Sequence, residues 1–361
     1  MNDLSIEDIP ILVAVRAGCL RTLSRLLGEG ADVDASTSEG VGALMLAVHA
    51  ANPRMLGMLL DAGADVEATR VDGATVLMLA AAGGYAGLVQ DLLERGANAN
   101  RAMENGRAAL ALAARHGHAE TVAVLLDGGA SIDAASVHGE TALMVAARYG
   151  HSQTVMVLLQ EGASVNAARM DGWTALMMAV AHGHGAAVQV LLQGGENPDA
   201  ALPDGTTVLM LAARLGQADT VTALLHAGAN ANAERADGLT ALMLAARQGH
   251  VETAVALLLG GAALDASLID GSQALMPGAG FSDMRSVQVL LDACATIAGH
   301  SLASIGLHDP AAAQRGEHEA GFDAQPAPAP ADAQADAAAA PAEGLAVHEA
   351  MQEVVGPHYS L

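Results

Sequence analysis

Apolar residues occur along this chain in short paired blocks, each long enough for about two helical turns. In one such pair, the first block covers residues 142–147 and the second covers residues 154–159, with Gly150-His151 between them. Both blocks are built mainly from alanine, leucine, methionine and valine, and alanine, leucine and methionine are good helix formers. Glycine between two apolar blocks favours a turn. The pattern therefore predicts a helix, a turn and a second helix.

This unit recurs with a fixed period of 33 residues, marked by a turn dipeptide that ends in glycine. Asp-Gly and Asn-Gly favour tight turns because glycine accepts a positive φ at little cost. A strict period of this length is typical of an array in which each unit stacks on its neighbours. We predict an all-α solenoid of about nine units joined by hairpin-like turns over residues 1–300. The dipeptides are Glu39-Gly40, Asp72-Gly73, Asn105-Gly106, His138-Gly139, Asp171-Gly172, Asp204-Gly205, Asp237-Gly238 and Asp270-Gly271.

The residues of a single unit carry a resemblance to a known family. The chain reads Thr-Ala-Leu-Met-Val-Ala-Ala from Thr141, Gly-His at Gly150, and Leu-Leu-Gln-Glu-Gly-Ala-Ser-Val-Asn-Ala from Leu158. It resembles the ankyrin repeat, whose signature is Thr-Pro-Leu-His-x-Ala-Ala, then Gly-His, then Leu-Leu-x-x-Gly-Ala-x-x-Asn-Ala. The likeness extends over about residues 4–300. It implies stacked helix pairs and a non-catalytic protein–protein interaction module.

Two departures from the ankyrin signature affect packing. Methionine replaces the signature histidine in most units, and we expect these side chains to form a buried ladder of apolar filler. A thioether metal site is rejected, because successive helices lie about 8–10 Å apart. In the ninth unit Pro277, Gly278 and Gly280 lie where a helix is expected, which predicts a weak terminal cap. The ladder positions are Met45, Met78, Ala111, Met144, Met177, Met210, Met243 and Met276.

The charge and composition of the chain limit the kinds of partner that it is expected to bind. The chain has 40 acidic residues against 16 basic ones, all arginine, and a net charge of −24. This balance disfavours nucleic acid and anionic membranes. The lack of lysine is typical of a GC-rich bacterial genome. Cys19 and Cys294 lie at opposite ends of the array, so they are expected not to pair. The uncharged run at 172–195 is long enough for a membrane span but stays in the repeat frame, so a helix pair is predicted there.

The residues after 300 leave the repeat pattern. Residues 301–343 are rich in alanine, proline and aspartate and are predicted to form a disordered linker. Residues 344–361 regain apolar side chains and form a short amphipathic segment. This segment either stays a marginal helix in solution or docks in a groove of a partner or of this protein itself. The N-terminal residues lack the basic region of a secretory signal. A cytoplasmic monomer is expected, and secretion by a signal-less route stays open.

Two histidine pairs are candidates for chemistry. In His116-Gly117-His118 and His182-Gly183-His184 the first histidine is expected to end one helix and the second to begin the next. Their rings should then point in different directions, and no cysteine or carboxylate follows in ligand spacing. Neither a nucleophile triad nor a phosphate-binding loop can be placed. We predict a protein without enzymatic activity, cofactor or metal.

The resemblance places partner contacts at the hairpin tips and at the ends of the first helices, which together line a concave groove. Arginine and aromatic residues dominate binding energy at interfaces, and a single acid, Glu140, falls among these positions. An acidic or mixed-charge protein or peptide is the expected partner of a scaffold or adaptor. The alternatives are solvated or stem-packing roles for these side chains, and an accessory enzyme subunit or host-directed effector masked by its own tail. The candidate residues are Arg107, Arg115, His116, His138, Arg148, Tyr149, Trp173, His182, Arg214 and Arg247.

Overall fold

A computed structural model describes residue 6, residues 9–264 and residues 288–297 of the chain. Residues 288–297 are helical. The predicted cap residues Pro277, Gly278 and Gly280, the last ladder methionine Met276, the linker and the C-terminal segment lie outside the described residues. The expectations for those parts of the chain therefore stay predictions.

Eight helix pairs follow one another through residues 9–264, and they confirm the predicted helix-turn-helix units. In all eight pairs the first helix has seven or eight residues and the second has nine. The pairs are α1 (Pro10–Arg16) and α2 (Leu20–Gly28), α3 (Ala43–His49) and α4 (Pro53–Asp61), α5 (Val76–Ala82) and α6 (Ala86–Glu94), α7 (Ala109–Arg115) and α8 (Ala119–Asp127), α9 (Ala142–Arg148) and α10 (Ser152–Gln160), α11 (Ala175–Ala181) and α12 (Gly185–Gln193), α13 (Val208–Arg214) and α14 (Ala218–His226), α15 (Ala241–Gln248) and α16 (Val251–Leu259).

Threonine side chains begin five of the first helices. Thr174 Oγ1, for example, accepts a hydrogen bond from the Met177 N–H at 3.4 Å. Such a bond satisfies one of the backbone donors that the first helical turn leaves without a partner. Short antiparallel bridges, such as that of Ala168 with Thr174, lie immediately before the first helices α3, α5, α7, α11 and α13 and form the predicted hairpin-like turns. The capping threonines are Thr75, Thr141, Thr174, Thr207 and Thr240.

The helices stack in two parallel rows around one continuous apolar core. The first helices contact one another in order from α1 to α15, and the second helices do so from α6 to α16. The methionine ladder lies inside this core, which confirms the prediction for every ladder methionine that the structure describes. Their exposed fractions are 3% for Met45, 1% for Met78, 1% for Met144, 0% for Met177, 1% for Met210 and 6% for Met243.

A ladder of side-chain hydrogen bonds joins the loops of successive repeats. Asp34 Oδ1 accepts from the Asp65 N–H at 2.8 Å, and Asp133 Oδ1 accepts from the Ser164 N–H at 2.9 Å. The same bond recurs along the array and ties each repeat only to the next one, as expected for a solenoid. The accepting residues are Asp34, Glu67, Asn100, Asp133, Asn166, Asp199 and Asn232.

The uncharged run at 172–195 folds as the pair α11 and α12, as predicted. Among the described residues, no helix combines the length and the hydropathy that crossing a membrane requires. Cys19 and Cys294 are both free thiols.

Candidate functional site

The surface of interest is the inner face, which we define as the hairpin tips together with the C-terminal ends of the first helices. Four of the ten candidate residues line one small pocket on this face, between α7 and α9. We call it the Arg–Tyr pocket. Its lining consists of Arg107, Ala111, Leu112, Arg115, Glu140, Val145, Arg148 and Tyr149.

Tyr149 is the aromatic centre of the Arg–Tyr pocket and is 38% exposed. The guanidinium carbon of Arg115 lies 4.9 Å from the centroid of its ring, and that of Arg148 lies 5.8 Å away. A guanidinium within about 6 Å of a ring centroid is attracted by the negative face of the ring. Both arginines are therefore held beside the tyrosine, where a partner's side chain can meet charge and ring together.

A buried carboxylate balances part of this positive charge. Glu140 is 8% exposed, and its Oε1 accepts from Arg148 Nη1 at 3.2 Å and from Arg169 Nη1 at 2.9 Å. Arg169 also bonds to Asp171 at 3.0 Å. From the sequence, Arg148 was expected to pair with a charged group of a partner, whereas in the structure it pairs with Glu140 of the same chain. Arg169 was not among the candidate residues, because its contact with Glu140 joins two hairpins that are 29 residues apart in sequence.

The Arg–Tyr pocket lies where the methionine ladder is interrupted. Ala111 occupies the frame that Met78 holds in the preceding repeat and Met144 in the following one. Both methionines are 1% exposed, whereas Ala111 is half-buried and lines the pocket. Alanine is the smallest side chain at this frame among the described repeats, where the first has Leu12 and the others have methionine. The interruption was visible in the sequence, but its consequence at the surface was not.

The other six candidate residues do not line the Arg–Tyr pocket. Trp173 is half-buried and packs against the core, so the alternative of a stem-packing role holds for part of its side chain. His182 is exposed, and its Nδ1 donates to the Met178 carbonyl at 2.9 Å. The remaining residues are the exposed Arg214, Arg247 and His138 and the half-buried His116.

Sequence reasoning missed three exposed apolar residues at hairpin tips. Val71, Val137 and Met170 share one register of the repeat and are 76%, 54% and 89% exposed. Tyr149 and Leu215, at the ends of two first helices, are also exposed. Val137 and Met170 lie in adjacent repeats, whereas Glu104 separates Val71 from them in this register. The missed signal is an apolar residue immediately before the turn dipeptide. The sequence has Ile269 at the same position of another repeat, whereas Ser38, Glu104, Pro203 and Ala236 stand there in the rest.

The two histidine pairs differ in the orientation of their rings. The rings of His182 and His184 are stacked, with centroids 6.3 Å apart and planes 5° apart, so the expectation that they point in different directions was wrong for this pair. The rings of His116 and His118 have centroids 6.2 Å apart and planes tilted by 34°. Within the described part of the chain, no group of three or more His, Cys, Asp or Glu is arranged to hold a metal.

A histidine that follows the glycine between two helices ties its repeat to the preceding one at His118, His151 and His250. His118 Nε2 donates to the Ala82 carbonyl at 3.0 Å, and His151 Nε2 donates to the Arg115 carbonyl at 2.8 Å. Gln217 occupies the same frame and donates to the Val180 carbonyl at 2.8 Å. Burial lowers the pKa of His118 and of His151, because the charged imidazolium is costly to bury.

Replacing His151 by glutamine is expected to reduce the loss of stability in acid. A histidine whose pKa is lowered by folding stabilises the native state above its unfolded pKa, and this contribution is lost as the pH falls below about 6.5. Glutamine does not titrate and makes the same bond at Gln217. Urea unfolding at pH 7.5 should differ from wild type by less than about 1 kcal/mol. Between pH 7.5 and pH 5 the variant should lose less stability than wild type.

The control for this substitution is His226→Gln, at an exposed position in the last turn of α14. It should leave the pH dependence of unfolding unchanged. A His151→Gln variant that loses as much stability in acid as wild type would show that this histidine titrates alike in both states.

Comparison with known proteins identifies the family of this chain. A family model for ankyrin repeats, in three copies, matches residues 11–103, 77–169, 130–202, 166–235 and 209–298. The chain belongs to the ankyrin repeat family. Ankyrin repeats are general protein–protein interaction modules. A comparison with curated proteins finds no match.

Solved structures with the same fold are numerous, and 502 chains match. One of them is the crystal structure of the human ASB11 ankyrin repeat domain, which is 27% identical to this chain with a TM-score of 0.55. The alignment covers 62% of this chain and 99% of the ASB11 chain.

Proposed function

We propose that this chain is a non-catalytic scaffold or adaptor that holds a partner protein or peptide on its inner face, centred on the Arg–Tyr pocket. The observation that carries the proposal is the exposed Tyr149 beside two guanidinium groups, in the pocket where Ala111 replaces a ladder methionine. Tyrosine and arginine are the residue types that most often dominate interface energy. A stacked array binds with little ordering of its own backbone, which limits the entropic cost.

The chemistry of the inner face favours a partner that combines apolar side chains with a local carboxylate. Val71, Val137 and Met170 offer apolar contacts at the hairpin tips. Arg107 and Arg115 add positive charge in the Arg–Tyr pocket, where Glu140 already balances Arg148. The net charge of −24 repels a strongly acidic partner at long range. The recognised feature is therefore a short mixed segment and not a uniformly acidic surface.

Tyr149→Ala is expected to weaken partner binding by about 2 kcal/mol or more, because it removes the ring that both guanidinium groups flank. The partner would be captured from a source lysate with the intact chain and identified by mass spectrometry. Its affinity would then be measured by calorimetry. Leu215→Ala is the matched control, since Leu215 has the same register two repeats away and a similar exposure of 43%.

A second variant tests the contribution of the Arg–Tyr pocket without removing the Tyr149 ring. Ala111→Met introduces the residue found at this frame in the adjacent repeats, so it should fill the Arg–Tyr pocket without changing any charge. We expect weaker partner binding with no loss of folding stability. Unchanged affinity in both Tyr149→Ala and Ala111→Met would place the partner elsewhere on the molecule.

A further inference from the structure

A buried carboxyl group interrupts a run of alanines in the loop after α12. Glu196 is only 2% exposed. In the seven other described repeats the same frame holds alanine, a residue that needs no polar partner. The substitution of a titratable side chain at a buried position therefore sets the sixth repeat apart. The alanines are Ala31, Ala64, Ala97, Ala130, Ala163, Ala229 and Ala262.

The carboxyl group of Glu196 joins its loop to the first turn of α11. Oε1 accepts from the Leu176 N–H at 2.9 Å. The hydroxyl of Thr174, the capping residue of α11, lies near the carboxyl group and favours its charged form. Oε2 is buried and has no hydrogen-bond partner. An ionised carboxylate here would place charge on a buried oxygen that nothing compensates, which is costly.

No charged group offsets this cost. Helices α11 and α12 contain no titratable residue, and neither does α10. The neighbouring first helices carry only Arg148 and Arg214, at their C-terminal ends, whereas Glu196 contacts the N-terminal turn of α11. Helix α14 carries Asp219 and His226. The groups that act on the Glu196 carboxyl are the Thr174 hydroxyl and the Leu176 N–H, and no ionised side chain is among them.

We propose that Glu196 makes the sixth repeat a proton-sensitive joint of the array. With the carboxyl group neutral, the loop after α12 is held closed against α11. Ionisation of the carboxyl group loosens this contact and opens the repeat locally. The same repeat carries Trp173 and His182 of the inner face, so opening it changes that face at the centre of the array. The joint depends only on the contacts of Glu196 and stands whether or not the Arg–Tyr pocket binds a partner.

The direction of the effect follows from the burial of the group. Burial raises the pKa of Glu196 from 4.5 to about 7, against the polar contacts of Thr174 and Leu176, which lower it. A carboxyl group with a raised folded pKa contributes stability that is fully present below its unfolded pKa and is lost as the pH rises through the folded pKa. The opening equilibrium constant of the sixth repeat should therefore rise between pH 5 and pH 8, by about 70-fold.

Hydrogen exchange of the intact chain tests this proposal. Exchange of the Leu176 and Ala179 amides at pH 5 and pH 8 would be converted to opening constants after correction for the intrinsic rates. Wild type should show the rise of about 70-fold. Glu196→Gln keeps an oxygen that can accept from the Leu176 N–H but cannot titrate. Glu196→Ala restores the residue of the other repeats, so it is expected to fold. Both variants should show less than about a threefold change.

Glu161→Gln is the matched control, since Glu161 is an exposed carboxylate in the adjacent repeat. It should keep the full rise of wild type. Two results would overturn the proposal. One is an opening constant in wild type that is equal at both pH values. The other is a rise that persists in Glu196→Gln and in Glu196→Ala.

Discussion

Replacing Met177 by alanine is expected to lower the free energy of unfolding by about 2–5 kcal/mol. Met177 is 0% exposed and lies in the methionine ladder between Met144 and Met210. Truncating a buried side chain loses its apolar contacts and leaves a cavity that the surroundings fill only in part. Here the Thr174 cap and the inter-repeat loop bonds hold the backbone in place, which limits collapse. Urea unfolding at neutral pH, followed by circular dichroism, measures the change.

The control for the ladder is a methionine outside it. Met170 lies at a hairpin tip and is 89% exposed, so Met170→Ala should change the free energy of unfolding by less than about 0.5 kcal/mol. A similarly small cost for Met177→Ala would mean that the ladder does not contribute to the core.

Gly150→Ala is expected to cost about 2–4 kcal/mol, through two separate effects. Gly150 has a φ of +75°, which a residue with a Cβ adopts at a cost of about 1–2 kcal/mol. A Cβ at this position would also lie 2.4 Å from Nδ1 of His184 in the next repeat. The ring must then move, which disturbs its stacking on His182.

Gly183 separates the two effects, because it has nearly the same φ of +76° without the close contact. A Cβ there would meet Gln217 only at 3.9 Å. Gly183→Ala should therefore lower the free energy of unfolding only by the cost of the positive φ, about 1–2 kcal/mol. Adding His184→Gln to Gly150→Ala should recover part of the loss, since it recreates the pairing of Gly183 with Gln217. Equal costs for the two glycine substitutions, with no recovery in the double variant, would contradict the role of the His184 ring.

The amino-acid sequence alone predicts the helix pairs, their turns and the buried methionine ladder. These features follow from local patterns, because each repeat contacts only its neighbours and the same burial recurs every 33 residues. The ten candidate residues also came from the frame of the repeat. The repeat frame predicts which positions the stacking of the repeats leaves exposed. Four of the candidates, Arg107, Arg115, Arg148 and Tyr149, do line one pocket.

How those residues interact depends on contacts between repeats, which the three-dimensional structure shows. Glu140 binds Arg148 and Arg169, and the missing thioether at Ala111 opens the Arg–Tyr pocket. The raised pKa of Glu196 also depends on the folded structure, because it comes from burial of the carboxyl group and not from any neighbour in the chain. Periodicity specifies where a residue lies in its repeat. Distance, burial and local dielectric depend on what the adjacent repeat places against it.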